Sequence, residues 1–586
     1  MRIAVVLEDK CSSSRCSYEC ISYCPRVRTG DETIVKTEDG IRISEELCAG
    51  CGICTVKCPF NAIKIINLAE ELDEDKVHQF SENGFRLYRL PVPQEGLVIG
   101  LLGANGIGKT TAIRILSGEI TPNLGDFESA PSWEPVLECY SGTAMGDYFE
   151  ELAHDEIETS LKPQYVDKIP AHYSGQVEPL LQRVGDDYMH WVELLDIEHT
   201  LDSPIDNLSG GELQRVAIAA ASTKEADIYF YDEPSSYLDI KQRLNVAKVI
   251  KEKSSKSHVM VIEHDIAVLD FLADNVHILY GSKGAYGVVS HPKSVRRAIN
   301  TFLRGFLDEE NIRFRNNEIT FHQHAPRSEF HHDILVSYDR LVKKWDSFKL
   351  ETEPGDVPRG EVIGIVGPNA TGKTTFVKML AEVIKPTEGE IKTSVSVSYK
   401  PQYIKPNYPG RVIDLYRTEI YDSLGDGLYK AEVIRPLDIE SLYEREVSTL
   451  SGGELQRVVI ALALGRQADL YLLDEPSAYL DSRRRMDTAR AIRRFIEKSK
   501  SAGMIVDHDV YFIDYVSDLI MNFSGEPGFK GIGEGPFEMK EGMNKFLKDV
   551  GITFRRDPDT NRPRVNKLDS RLDKKQKSRG EYYYTF

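Results

Sequence analysis

Two segments of this chain have the residues to hold a nucleoside triphosphate. Gly103-Ala-Asn-Gly-Ile-Gly-Lys109-Thr110-Thr111 and Gly367-Pro-Asn-Ala-Thr-Gly372-Lys373-Thr374-Thr375 both fit a glycine-rich phosphate loop, G-x4-G-K-[ST]. In such a loop the backbone N–H groups, here those around Gly103, Asn105, Gly106 and Gly108 or Gly367, Asn369 and Gly372, cradle phosphate oxygens. Lys109 and Lys373 would reach the β and γ oxygens, and Thr110 and Thr374 would hold Mg²⁺, with Thr111 and Thr375 beside them. Downstream, the apolar run at 228–231 ends in Asp232 and Glu233, and Asp474-Glu475 repeats the pair. Each aspartate would bind Mg²⁺ through water, and each glutamate would orient or deprotonate the attacking water. His264 and His508 follow at similar distances and are read as γ-phosphate contacts, although a lone histidine after a strand is commonly a core residue. Gln164, in LKPQY, and Gln402, in YKPQY, are candidates for contact with Mg²⁺ and water.

The stretch LSGGELQRV occurs at 208–216 and again at 450–458, 450 − 208 = 242 positions apart. Ser209, Gly210, Gly211 and Glu212, like Ser451, Gly452, Gly453 and Glu454, open a helix-forming segment. Its N-terminal N–H groups and dipole make an anion site. The offsets between the halves are 373 − 109 = 264, 474 − 232 = 242 and 508 − 264 = 244. Between phosphate loop and signature the first half spans 209 − 109 = 100 residues and the second 451 − 373 = 78, a difference of 22. Gly142–Leu161, with helical apolar spacing at Tyr148, Phe149, Leu152, Ile157 and Leu161, is the expected insertion and is read as a helix–loop–helix.

Eight of the nine cysteines lie within Cys11–Cys58. Cys48, Cys51, Cys54 and Cys58 have the C-x2-C-x2-C-x3-C-P spacing of [4Fe–4S] sites. Cys11, Cys16, Cys20 and Cys24 depart from it but keep the closing Cys-Pro. Because the fourth cysteine of such a run ligates the other cluster in two-cluster proteins, the expected sets are Cys11, Cys16, Cys20 with Cys58, and Cys48, Cys51, Cys54 with Cys24. The competing reading is two tetrahedral zinc sites. Cys139 is read as packing.

The elements that must carry these residues follow from the rest of the chain. Leu97–Leu102 reads as a buried parallel strand leading into the first phosphate loop. With 586 residues, 41% of them apolar, there is material for several cores. No apolar run is long enough to span a membrane, and the opening MRIAVVLEDK is too short for a signal peptide. Net charge is −19, which argues against a global nucleic-acid footprint. The expected fold is α/β: a small α+β ferredoxin-like domain at 1–72, a nucleotide-binding domain at 73–292, a hinge at 293–332, a second nucleotide-binding domain at 333–540, and a second hinge with a basic tail at 541–586. Asn300–Leu303 matches Asn544–Leu547, and Ile312–Arg315 matches Ile552–Arg555. Arg555–Arg579 holds ten Lys and Arg against four Asp, the clearest local basic patch. Arg296, Arg297, Arg304, Arg313, Arg315, Arg555 and Arg556 in the hinges are the expected polyanion contacts, or else braces between the halves.

Phosphate loop, LSGGE signature, Asp-Glu strand end and histidine, each present twice, resemble ABC-type ATPase domains. With two cysteine groups in front, the chain resembles the iron–sulfur ABC proteins of ribosome recycling, subfamily E or the RNase L inhibitor family, and is archaeal-like. YSGTAM, GVVSHP at 287–292, FRRDPDTNRPRVNK at 554–567 and GEYYY at 580–584 carry that likeness. It implies head-to-tail halves, with Lys109 and Ser451 sharing one ATP and Lys373 and Ser209 the other. It also implies two [4Fe–4S] clusters, ATP and Mg²⁺ as cofactors. The implied partners are the small ribosomal subunit (rRNA and protein), a termination or rescue release factor and initiation factors, with no DNA and no membrane. A cytoplasmic monomer that splits ribosomes and stays on the small subunit is implied. Phe85 and Phe348 are candidates for stacking on adenine, with Phe80 nearby. The rival from another class is an ATP-gated iron–sulfur electron-transfer protein.

Overall fold

The computed structural model describes residues 2–583 except 9, 12–15, 38, 39, 68–71, 73, 74, 316, 317, 322–332, 346, 393, 394 and 403–407. The later part of the first expected hinge, 322–332, and Tyr584 of the closing GEYYY therefore lie outside the described residues.

The N-terminal unit pairs β1 (Arg2–Val6) with β4 (Ile63–Asn67), and β2 (Ile34–Lys36) with β3 (Ile41–Ile43), both antiparallel. Between them stand three short helices, Glu19–Ser22, Pro25–Arg28 and Ile53–Lys57. The first Cys-Pro opens a helix, with Cys24 as N-cap and Pro25 at the first helical position, where a missing N–H costs nothing. The second Cys-Pro follows a helix, with Cys58 as its C-cap.

The first nucleotide-binding half is built on the strands β5 (Lys76–Gln79), β6 (Arg86–Tyr88), β7 (Val98–Leu102), β8 (Thr159–Lys162), β9 (Ile228–Asp232), β10 (His258–Ile262), β11 (Asn275–Ser282) and β12 (Tyr286–Val289). Their order is β5-β6-β12-β11-β7-β10-β9-β8. β8, β9, β10, β7 and β11 are parallel, and β7 and β9 are buried at every position, as a sheet covered on both faces requires. The second half repeats this with parallel strands Val397–Lys400, Leu470–Asp474, Ala502–Val506, Val362–Val366 and Leu519–Glu526, in that spatial order. This topology sets the phosphate loop after the central strand and the acidic pair at the end of a neighbouring strand, so both meet at the carboxyl edge of the sheet.

The expected insertion is displaced. Its helices are Trp133–Cys139 and Ala144–Ala153, whereas Leu161, assigned to a helix from the sequence, lies on β8. From lysine to glutamine the halves span 164 − 109 = 55 and 402 − 373 = 29 residues, and from glutamine to signature serine 45 and 49. The first half thus has 26 extra residues before its glutamine and four fewer after it. Tyr148, Phe149 and Leu152 are buried as the helical spacing requires, and Tyr148 donates from its hydroxyl to the Leu116 carbonyl at the end of the phosphate-loop helix.

The basic C-terminal stretch is folded, although Arg571, Lys574, Lys575 and Arg579 of its helix stay exposed. Phe554–Arg556 and Pro563–Val565 form a hairpin, followed by the helix Arg571–Arg579. The Arg562 side chain has 0% exposure and donates to Asp270 at 2.9 Å, to the Tyr511 hydroxyl at 2.8 Å and to Asn300 at 3.2 Å. Arg564 makes a second, bidentate pair with Asp270, and Arg556 a bidentate pair with Asp514. Asp270 and Asp514 lie on equivalent helices, 514 − 270 = 244 positions apart, each starting just after its half's histidine. Among the hinge arginines, Arg315 is buried on the carbonyls of Phe302 and Leu303, and Arg296 pairs with Asp557 and Asp559. Arg297 and Arg304 are exposed but paired with Glu309 and Asp308. Of this set Arg296 ties the first hinge to the C-terminal hairpin, whereas Arg297, Arg304 and Arg315 bond within their own hinge.

Candidate nucleotide and cluster sites

In each half the phosphate loop runs from a buried strand into a helix starting at its lysine, Lys109–Leu116 or Lys373–Leu380. Lys109 Nζ donates to the carbonyls of Gly103 (3.0 Å) and Ala104 (2.7 Å), and Lys373 Nζ to those of Gly367 (2.8 Å) and Pro368 (2.6 Å). The carbonyls hold each ammonium at the mouth of its loop, where phosphate oxygens would compete for it. Burial pulls both lysines down, Lys373 to about 8. Thr110 donates to Asp232 at 2.9 Å, which joins the two expected Mg²⁺ contacts. Burial and the neighbouring Glu233 charge push Asp232 up to about 6. Asp232 Oδ1 and both carboxylate oxygens of Asp474 are buried without a hydrogen-bond partner, the chemistry a hydrated divalent cation would satisfy. Thr111 and Thr375 lie on the first helical turn, half-buried.

Gln164 donates to Glu233 at 2.6 Å and Gln402 to Glu475 at 2.7 Å. His264 Nε2 stands 3.4 Å from Glu233, and His508 Nε2 3.7 Å from Glu475. Both Nε2 atoms are buried, that of His264 beside a Glu233 oxygen, and burial keeps both imidazoles below their ordinary range. Each half thus gathers glutamine, glutamate and histidine beside the phosphate loop. Glu233 and Glu475 share a left-handed backbone, φ 49° and 48°, a costly conformation for a side chain of this size.

Each signature serine caps the helix that follows it, and the glutamate three residues on closes a reciprocal capping box. Glu212 and Glu454 therefore aim the helix N-terminus. S-x-x-E was readable in the sequence as this box. Lys162 and Lys400 were missed altogether. They precede the Pro-Gln of each glutamine loop, are fully buried, and donate to the carbonyls of Asp232 (2.9 Å) and Asp474 (2.6 Å). A lysine at the same place in both LKPQY and YKPQY was the available signal.

The halves meet through these loops. The Asn105 N–H donates to Asp481 of the second half at 3.2 Å, and the Asn369 N–H to Asp239 of the first at 3.0 Å. Ser482 donates to the His264 carbonyl at 2.8 Å, and Arg243 to the His508 carbonyl at 3.4 Å. Phe85 and Phe348 take equivalent positions: a Cβ on Gly108 would lie 2.8 Å from the Phe85 ring, and one on Gly372 would lie 3.1 Å from the Phe348 ring. Phe80 packs 6.4 Å from Phe85, and Trp345 6.0 Å from Phe348.

The ABC transporter family model matches residues 93–236 and 354–478; a 4Fe-4S binding domain model matches 41–64, and a possible Fer4-like domain of RNase L inhibitor matches 1–32. An uncharacterized ABC transporter ATP-binding protein of Methanocaldococcus jannaschii is 51% identical over 593 residues, covering 100% of this chain and 98% of its own. Translation initiation factor RLI1 of Saccharomyces cerevisiae is 44% identical over the same 100% and 98%. This chain belongs to the RNase L inhibitor family, ABC subfamily E. Among solved structures, a model of ribosome-bound archaeal Pelota and ABCE1 superimposes with a TM-score of 0.93 at 52% identity, covering 100% of this chain and 99% of that one. The complex of archaeal ribosomal stalk protein aP1 with the archaeal ribosome recycling factor aABCE1 gives 0.84 at 53%, covering 88% and 100%.

As a subfamily E protein the chain is an ATPase that uses ATP and Mg²⁺, and it carries [4Fe–4S] clusters. The thiols fit the clusters. All eight N-terminal cysteines are free. Cys11, Cys16, Cys20 and Cys58 line one cavity together with Tyr18, Ile41 and Ile63. Burial raises Cys20 to about 11, and Cys58, Cys16 and Cys11 stand around it. Cys54 is raised likewise, with Cys48, Cys51 and Cys24 around it. The two neighbour sets are the two expected ligand sets, including the exchange of Cys24 and Cys58. Thiols crowded this way are driven to ionise only by binding metal. Among the described residues, no three His, Cys, Asp or Glu side chains converge tightly enough for a single ion. Among the same residues, no helix is long and apolar enough to cross a membrane.

Proposed function

We propose that this chain is an ATP-driven ribosome recycling factor, which separates subunits after termination or rescue and remains on the small one. The observation that carries the reading is reciprocal contact between halves. Each phosphate loop touches the loop after the other half's glutamate, through Asn105–Asp481 and Asn369–Asp239. Two nucleotides bound between such halves would weld them together, and hydrolysis would release them. In this reading Lys109 and Ser451 share one ATP, and Lys373 and Ser209 the other. Glu233 and Glu475 act as bases toward the attacking water, Gln164 and Gln402 hold Mg²⁺ and that water, and His264 and His508 meet the γ-phosphate.

That the work is done on ribosomes is supported by the likeness to archaeal ABCE1 bound with Pelota on the ribosome and to aABCE1 in complex with a ribosomal stalk protein. The proposed partners are accordingly the small subunit, a release or rescue factor and initiation factors. We place the protein in the cytoplasm as a monomer. With a net charge of −19, its contact with RNA has to be local. Co-sedimentation with small subunits in sucrose gradients tests the function. Binding is expected to strengthen with a non-hydrolysable ATP analogue. Absence of binding with either nucleotide, together with ATPase activity that follows cluster redox state, would favour electron transfer instead.

A further inference from the structure

LSGGELQRV recurs unchanged in both halves, yet the anion site at the helix N-terminus and its capping box use only Ser-Gly-Gly-Glu. Gln214 and Gln456 lie one turn further along the same helices and are fully buried. Their amides reach back into their own half. Gln214 Nε2 donates to the Glu233 carbonyl at 2.8 Å, and Gln456 Nε2 to the Glu475 carbonyl at 2.7 Å. The next residues behave differently: Arg215 closes on the carbonyls of Leu195 and Asp196, and Arg457 on those of Leu437 and Asp438, away from either glutamate.

The same carbonyls are approached from the glutamine loops. Lys162 Nζ, already on the Asp232 carbonyl, also donates to that of Glu233 at 3.4 Å, and Lys400 Nζ to that of Glu475 at 3.2 Å. From the neighbouring strand end, the Ile262 carbonyl accepts from the Glu233 N–H at 2.9 Å, and the Val506 carbonyl from the Glu475 N–H at 2.8 Å. Gln164 and Gln402 hold the carboxylates themselves. Each glutamate is therefore gripped at its N–H, its carbonyl and its carboxylate, and in the same way in both halves. A left-handed glutamate needs such a grip. A strained backbone persists only where its surroundings over-determine it, and relaxation to negative φ would swing the side chain away with the backbone.

We propose that Gln214 and Gln456 are positioning residues for the reaction: each holds the carbonyl of its half's glutamate and so keeps the left-handed turn that aims the carboxylate at the attacking water. A neutral amide suits this place, because it donates to the carbonyl without adding charge beside the γ-phosphate and Mg²⁺. Its helix gives it a fixed base, since the capping box and the buried face of that helix hold it in the half. Gln214 thus rides on the helix of the Ser209 signature but serves the base of the Lys109 site, and Gln456 rides on the Ser451 helix and serves the base of the Lys373 site.

The proposal rests on Glu233 and Glu475 as bases, and the test separates the two. In the full chain, Glu475→Gln leaves the Lys109 site to turn over and Glu233→Gln the Lys373 site. If the chain with both changes hydrolyses ATP at the full rate, the base reading fails whatever Gln214 does. With Glu475→Gln, adding Gln214→Met is expected to slow single-turnover hydrolysis about 10- to 100-fold, the loss for a reacting group displaced by up to about 1 Å. Half-saturating ATP, read by filter retention, is expected to stay the same. With Glu233→Gln, adding Gln214→Met is expected to change neither quantity at the Lys373 site, although Ser209 on the same helix would serve that site. Gln456→Met gives the mirror result. Methionine fills the volume of glutamine, so the variants are expected to fold. Where the denaturant midpoint shows that Gln214→Met does not, Gln214→Leu replaces it and Gln456→Met gives an independent reading. A raised half-saturating ATP at the Lys373 site with hydrolysis at the Lys109 site intact marks a merely structural role in the signature helix. That result, equal losses at both sites, or no loss at either would overturn the proposal.

Discussion

The two candidate nucleotide sites have the same residues in different surroundings. At the first, burial raises Glu233, but the neighbouring His264 ring, Lys109 and Arg485 draw it down to about 2. At the second, burial and the adjacent Asp474 leave Glu475 above the ordinary carboxylate range. The first loop has Gly106 at φ 74° where the second has Ala370 at φ 58°. The first half carries the helical insertion and the ferredoxin-like unit. A duplicated motif therefore does not make duplicated sites: the chemistry-bearing residues are fixed by phosphate, while their proton affinities are set by neighbours free to differ.

The comparison breaks most sharply at the bases. Glu233→Gln and Glu475→Gln are each expected to slow hydrolysis at their own site by about 10²–10⁴-fold while ATP still binds, because an amide keeps the shape but cannot take a proton. Rapid-quench measurement of bound ATP checks this, and unchanged turnover in the double variant would exclude both residues. Next in size is the grip on the two helices that follow His264 and His508. Asp270→Asn and Asp514→Asn each strand buried arginines, a loss of about 3–5 kcal/mol. Denaturant midpoints should fall further for Asp270→Asn, because Asp270 takes two guanidinium groups and Asp514 one.

Acidity sharpens the contrast. A base works only when ionised, so its site loses rate as pH falls through its pKa. With Glu475 raised and Glu233 held near 2, acid should silence the Lys373 site first. The acid limb of the pH–rate profile should then lie at higher pH for Glu233→Gln than for Glu475→Gln, and the reverse order would refute the assignment. The smallest effect is expected at the loops. Ala370→Gly removes a left-handed strain of about 1–2 kcal/mol but adds freedom to the unfolded chain, for a net gain below about 1 kcal/mol. Gly106→Ala should destabilise instead, because its Cβ would meet Lys283.

Most of the nucleotide site was legible because phosphate and Mg²⁺ demand particular residues at local spacing. The grouping of the cysteines was legible for the same reason: Cys58 stands with Cys20, and Cys24 with Cys54. The insertion was misplaced because Ile157 and Leu161 suit a helical face and a short strand equally well. Packing of Leu161 in β8, beside β9, decided for the strand. The C-terminal arginines read as a basic tail because a sequence window sees only nearby acids. Arg562 finds its partner Asp270 292 residues away. Lys162 and Lys400 escaped notice because a buried lysine bonded to main-chain carbonyls has no periodic signature.

The arginine hairpin also bears on how the molecule is made. Asp270 and Asp514 leave the ribosome well before Arg556, Arg562 and Arg564, so each half can fold during synthesis while its carboxylate stays hydrated. Final docking of the halves must wait for residues 554–565. A chain cut short before them would hold two finished ATPase halves whose buried acids lack counter-charges, and it would stay ajar.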